Sequence, residues 1–171
     1  MEPSVLNRDL LAHNVCFGCG LENPHGLRIE IRRDANDDAL LVGTFTPAAH
    51  MAGFPAITHG GLLYSAMDCM STWVSTLLGP NRGAAWLLRS ARATYHKPAP
   101  THEPVTLLGR VIEKGGAWDP LVVRVEAVRK DGALCVEGEF KVVPLSPDRF
   151  REVAGLESVP ANWAAFLSGG V

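Results

Sequence analysis

The sequence predicts an α+β fold, with one long buried helix wrapped by a curved antiparallel sheet of about six strands. Three observations predict it. Residues 62–78 contain no proline, no glycine and one charge, Asp68. Stretches on both sides of this run alternate apolar and polar residues with the two-residue period of half-buried strands. The strands after the run are joined by short turns, and short turns make antiparallel neighbours.

The apolar run is long enough for a helix of roughly five turns. Leu62, Leu63, Met67, Met70, Trp73, Val74, Leu77 and Leu78 cover most of its faces. A helix that is apolar nearly all round is buried. Ser65, Ser71, Thr72, Ser75 and Thr76 make it too polar for a membrane span. His59-Gly60-Gly61 breaks the chain before it and Gly79-Pro80 stops it. No other Asp, Glu, Lys or Arg occurs between Asp38 and Arg82.

The other elements follow in order. Residues 4–13 can form a short helix with Ser4 as N-cap. Cys16-Phe17-Gly18-Cys19-Gly20 and Asn23-Pro24-His25-Gly26 come next. Residues 27–33 alternate as a strand, 34–38 turn, and 40–46 form a second strand. Residues 47–57, with Pro47, Gly53 and Pro55, are a loop leading into the helix. After a turn at 81–83, residues 84–96 read as a long strand ended by Pro98 and Pro100. Strands at 105–113, 121–128 and 133–143 follow, with turns at Gly115-Gly116 and Lys130-Asp131-Gly132. Pro144 and Pro147 end the sheet, and the tail with Phe150, Trp163 and Phe166 forms two short helices on it.

The 171 residues are read as one domain, 1–171, with its core at about 16–143. A net charge of −2 gives no reason to expect nucleic acid or a membrane surface as partner. Arg8 and Asp9 interrupt the apolar residues near the start, so no signal peptide is read and a cytoplasmic location is expected. Of the four cysteines, Cys69 and Cys135 read as small core residues. The Cys16–Cys19 pair admits a structural turn, a metal site or a redox pair. Zinc usually takes four ligands, and His13 and His25 are poorly spaced to complete a set, so the turn is preferred. No metal and no cofactor are expected.

Asp68 carries the chemical interest. A carboxylate in an apolar helix loses solvation, so it either finds a partner or does work. It can cap a neighbouring loop or pair with a buried arginine, or it can be a catalytic acid or base. Gly60 and Gly61 favour the second reading. Free N–H groups and the positive dipole end meet at a helix N-terminus, and glycines let a substrate oxygen come close. That is an oxyanion site. Gly61 and Asp68 are separated by about 10 Å along the axis, so one carbonyl cannot touch both in one chain. Two antiparallel copies of the helix across a two-fold axis would bring them together, which predicts a homodimer with two composite sites. Ser65, Ser71 and Thr72 lie within a turn of Asp68. They bond either its carboxylate or the attacking water, or simply the helix carbonyls behind them.

These residues resemble the hotdog-fold acyl-CoA thioesterases, in the branch typified by the phenylacetate-degradation thioesterase. The likeness is carried by Cys16 to Gly20, Asn23 to Leu27, Phe45-Thr46-Pro47, His50, Gly53, Pro55, His59-Gly60-Gly61, Asp68 and the Tyr95 to Pro100 segment. The resemblance implies hydrolysis of an acyl-CoA thioester. The Gly61 N–H, with Gly60, would polarise the carbonyl, and Asp68 of the partner subunit would act as base or nucleophile. His59 would orient the loop, contact substrate or cap the helix start. Relatives place a polar Asn or Gln before the His-Gly-Gly; here Gly53 takes that position and His50 is the nearest polar side chain. Gly60, His50, Thr72 and Lys97 are the candidate substrate-binding residues, Lys97 toward the phosphates of coenzyme A. The family forms dimers and dimers of dimers.

Two other readings compete. A 3-hydroxyacyl-thioester dehydratase on the same fold matches His50, Gly53 and Pro55, but its acid belongs near Tyr64, one turn before Asp68. A non-catalytic acyl-CoA-binding protein would not need Asp68. Residues 47–57 with Met67, Met70 and Trp73 either shape an acyl pocket or pack the core.

Overall fold

The computed structural model describes residues 4–168. The chain runs through α1 (Leu6–Leu10), β1 (Glu30–Arg33), β2 (Leu41–Phe45), a 3-10 turn (Ala49–Met51), β3 (Ala52–Phe54) and β4 (Ile57–Thr58). It continues through α2 (Gly60–Leu78), β5 (Ala85–Tyr95), β6 (Val105–Glu113), β7 (Leu121–Arg129), β8 (Leu134–Leu145), α3 (Pro147–Val153) and α4 (Ala161–Leu167). Six strands form one antiparallel sheet in the order β1-β2-β6-β7-β8-β5, and α2 packs across β5 to β8. The predicted helix wrapped by an antiparallel sheet is the architecture found.

Alternation builds the contact between sheet and helix. Leu121, Val123, Val125 and Ala127 of β7 are fully buried, as are Val136, Phe140 and Val142 of β8. Their counterparts on α2 are Leu63, Ala66, Met67, Met70, Val74 and Leu77. Each large apolar side chain so buried contributes roughly 1.5–3 kcal/mol. The helix lies so close that the strands need glycine beneath it. A Cβ on Gly109 would fall 2.6 Å from Val74 Cγ2, and one on Gly43 would fall 3.1 Å from Met70 Sδ. Register shifts at Leu88/Ser90, Val111/Glu113 and Ala127/Val128 interrupt the ladders. Such bulges bend a strand and increase its twist, which curls a sheet around a helix.

Several boundaries differ from the sequence expectation for identifiable reasons. The first strand begins at Glu30 because Leu27 N–H and Ile29 N–H bond the carbonyls of Phe17 and Gly18, not β2. Ser4 does not cap α1: its hydroxyl goes to the Asp9 carboxylate, and Val5 is the N-cap residue. The loop at 47–57 contains the 3-10 turn and the β3–β4 hairpin. β8 runs through Pro144 to Leu145, which is tolerated because Pro144 lies beyond Val142, the residue opposite the start of β7. The tail does form two short helices. α3 touches β8, but the aromatic contact is with the central helix, through Trp73 and Phe166 at 5.2 Å between ring centroids.

The N-terminal segment is tied on by a buried asparagine. Asn7 Nδ2 donates to the carbonyls of Cys19 (2.7 Å) and Ile29 (2.8 Å), and its Oδ1 accepts from Ile31 N–H (3.0 Å). Among the described residues, no helix is long and apolar enough to cross a membrane.

Candidate active site

The two faces of α2 differ in kind. Gly61, Ser65, Asp68 and Thr72 follow one another at helical spacing, and none of them is buried. They form a small and polar stripe on the side turned from the sheet, while the apolar residues face inward. Met67 and Met70 are wholly inside and pack the core. Trp73 instead lines a cavity of about 190 Å³ with Cys16, Cys69, Thr72, Trp86 and Phe166.

Asp68 is half-buried, and burial, aided by the negative charge of Cys16, raises its pKa. Ser71 Oγ and Thr72 Oγ1 donate to the Asp68 backbone carbonyl at 2.8 and 3.3 Å, not to the carboxylate. Ser65 Oγ likewise donates to the Gly61 carbonyl at 2.9 Å. All three hydroxyls therefore satisfy carbonyls one turn back. Among the described residues, no donor bonds the Asp68 carboxylate. It is left basic and short of solvation, on the half-buried stripe.

At the helix start, His59 is the N-cap. Its Nδ1 accepts the Gly61 N–H at 3.0 Å. In this bond the ring nitrogen is the acceptor, which leaves Nε2 as the donor side of the imidazole. Its position is set from behind. His59 N–H bonds the Met51 carbonyl at 2.8 Å, Thr58 N–H bonds that of Ala99 at 2.8 Å, and a Cβ on Gly53 would meet the His59 Cα at 3.1 Å. The Gly60 N–H is a first-turn donor without an intrahelical acceptor. The Gly60 carbonyl accepts Tyr95 Oη–H at 3.1 Å. Burial, and secondarily Tyr64, raises the Tyr95 pKa, which keeps the phenol a donor. Tyr95 ends the long strand and clamps the helix start; strand periodicity alone carries no sign of that contact.

The remaining candidates lie apart. His50 is exposed on the 3-10 turn and lines another groove with Thr44, Phe45, Thr46 and Arg28. Lys97 is exposed just after β5. Thr72 lines the cavity beside Cys69 and Trp73. Gly61 and Asp68 stand on one helix about 10 Å apart along its axis, so a single chain does not bring them to one reacting atom. β5 is an outer strand of the sheet, with Arg89, Ser90, Arg92 and Thr94 exposed.

The Thioesterase superfamily model matches residues 56–136, which include the central helix and strands β5, β6 and β7. Solved structures share the fold. The E. coli PaaI protein from the phenylacetic acid degradation operon is 21% identical, with a TM-score of 0.60 over 70% of this chain and 81% of that one. A thioesterase superfamily protein is 27% identical, with a TM-score of 0.62 over 72% of this chain and 60% of that one. A hypothetical thioesterase from Streptococcus pneumoniae, solved with coenzyme A, is 20% identical, with a TM-score of 0.59 over 69% of this chain and 89% of that one. No curated protein matches the sequence.

Proposed function

We propose that this chain, a hotdog-fold member of the thioesterase superfamily, hydrolyses an acyl-CoA thioester to a free acid and coenzyme A. The observation that carries the reading is Asp68, a half-buried carboxylate with a raised pKa and, among the described residues, no bonded donor, on the outward stripe of the central helix. A structural carboxylate at such a position would be paired or capped. A catalytic one is kept basic and open to substrate.

The chemistry then runs between two copies of the chain. A second copy adds along the free edge of β5 and sets its own central helix antiparallel to the first. The thioester carbonyl oxygen meets the Gly60 N–H, and meets the Gly61 N–H in competition with His59. Asp68 of the other copy takes a proton from water as the water oxygen bonds the carbonyl carbon. The resulting oxyanion is held at the helix N-terminus. Its collapse expels the thiolate of coenzyme A, which is then protonated. Alternatively the Asp68 carboxylate bonds the carbonyl carbon itself, the C–S bond breaks to release the thiolate of coenzyme A, and water opens the resulting anhydride to the free acid and the restored carboxylate. Lys97 supplies charge for the nucleotide phosphates, and Thr72 and His50 border the acyl and loop sides. The structure of the Streptococcus pneumoniae thioesterase with coenzyme A supports that ligand class.

The test is thiol release from short, long and aryl acyl-CoAs by wild type and Asp68→Asn. Turnover that falls by about 10²-fold or more in the variant supports the reading. Equal turnover by both proteins removes Asp68 from the chemistry. Tight binding with no turnover by wild type would make the protein a binder. Label found in the Asp68 carboxylate after a single turnover in ¹⁸O-water identifies the nucleophile, because a general base acquires none.

A further inference from the structure

The fold adds a third thiol to the Cys16–Cys19 pair. The turn is closed by Gly20 N–H on the Cys16 carbonyl at 3.0 Å. Asn14 holds both ends: its Oδ1 accepts Cys16 N–H at 3.0 Å and its Nδ2 donates to Cys19 Sγ at 3.3 Å. The turn rests directly on α2, for a Cβ on Gly18 would fall 2.2 Å from Cys69 Sγ. Cys16 Sγ and Cys69 Sγ are 3.7 Å apart, and no two of the three sulfurs are more than 4.8 Å apart. All three cysteines are free thiols and line the cavity beside Thr72 and Trp73.

Three soft donors converging from a buttressed turn and a rigid helix are more than apolar packing requires. A zinc ion with sulfur at about 2.3 Å and tetrahedral angles holds its thiolates roughly 3.8 Å apart, close to the spacing of Cys16 and Cys69. The remaining sulfur lies within 4.8 Å of both. Release of the thiol protons to one cation would let all three sulfurs act as donors.

We propose that Cys16, Cys19 and Cys69 bind one thiophilic d10 cation, zinc by spacing, with a fourth donor supplied from the cavity side by solvent. The site is independent of the hydrolytic reading. It fastens the N-terminal turn to α2 at the residue next to Asp68.

The experiment uses the full chain, reduced, stripped with a chelator and titrated with zinc against a chromophoric chelator, and separately with cobalt. The expected result is one zinc per chain and a cobalt complex with thiolate charge-transfer absorption and tetrahedral visible bands. Cys16→Ser and Cys69→Ser should each weaken binding by more than about 100-fold, and Asn14→Ala by roughly 10–100-fold, as for an outer partner. Cys135→Ser, which replaces the one cysteine outside the cluster, should bind as wild type. Circular dichroism checks the fold of each variant, and uptake by wild type decides the question even where a variant does not fold. Failure of the reduced wild type to bind zinc stoichiometrically, with all four thiols shown to be reduced by a thiol reagent after denaturation, overturns the proposal. So does a Cys16–Cys69 disulfide, seen as loss of two hydrogens by mass, in a chain that takes up no metal after reduction. Unchanged affinity in Cys69→Ser also overturns it.

Discussion

His59 Nδ1 lies 3.0 Å from the Gly61 nitrogen, so the side chain that caps the central helix occupies a donor that a substrate would also seek. Removing the cap in His59→Ala should cost about 1 kcal/mol. For a chain of this size that lowers Tm by roughly 2–4 °C. His59→Asn, which can accept the same N–H, should recover most of the loss. Thermal unfolding of the three proteins decides it; equal melting of the Ala and Asn variants would mean the cap contributes nothing.

Asp68 should leave a signature in pH. Its pKa is raised in the folded chain, so the fold prefers the protonated form. The associated stability is present at low pH and is lost as pH rises through the folded pKa. Asp68→Asn stays neutral throughout. It should therefore be more stable than wild type at neutral pH, with the advantage vanishing below roughly pH 4, near the ordinary carboxylate value. Denaturant midpoints at both pH values check this. The acid limb of the wild-type rate profile should fall at a pH above that ordinary value.

The two halves of the proposed site can be separated genetically. Asp68→Asn and Gly61→Val should each be inactive alone; a Cβ at Gly61 already meets the His59 ring at 3.1 Å. A mixed dimer of the two retains one site with both groups intact and should recover about half the wild-type rate. Co-expressed, differently tagged chains provide the measurement. No recovery in a purified mixed dimer would place both groups in one chain.

Gly109 should not accept a side chain. The Cβ of Gly109→Ala would lie 2.6 Å from Val74 Cγ2 on a helix that is packed on its inner face. Overpacking of this kind costs about 1–3 kcal/mol, read as a lower denaturant midpoint. Val74→Ala in the same chain should return part of the loss.

Asn7→Ala should be the most damaging change in the N-terminal segment. It strips three hydrogen bonds from a buried site and leaves the Cys19 and Ile29 carbonyls without that donor. The expected cost is roughly 2–4 kcal/mol, measured by chemical unfolding.

The fold was legible because its determinants are local and repeated. The apolar run at 62–78 has one reading as a helix, and β7 alternates without a break from Leu121 to Ala127. The back-bonding of Ser65, Ser71 and Thr72 was one of the alternatives that helical spacing defined. What stayed hidden depends on contacts far apart in sequence. Cys69 reads as a core residue until Gly18 brings the Cys16 turn onto it, and Tyr95 reads as a strand residue until its hydroxyl reaches Gly60. The β3–β4 hairpin escaped because its exposed residues, from Ala52 to Phe54, carry no burial pattern.

The cavity beside Trp73 has walls of unequal permanence. One side is sheet and helix, fixed by the hydrogen-bond ladders of β5 and β8. The other is the tail, where Phe150, Trp163 and Phe166 meet one another and Trp73 through ring contacts at 5.2–6.0 Å and no strand pairing. Segments held in this way open at a lower free energy than the whole molecule. In hydrogen exchange, the amides of α3 and α4 should lose protection well before those of α2. The cavity then behaves as a hinged compartment, whose filling is governed by how often its aromatic cover lifts.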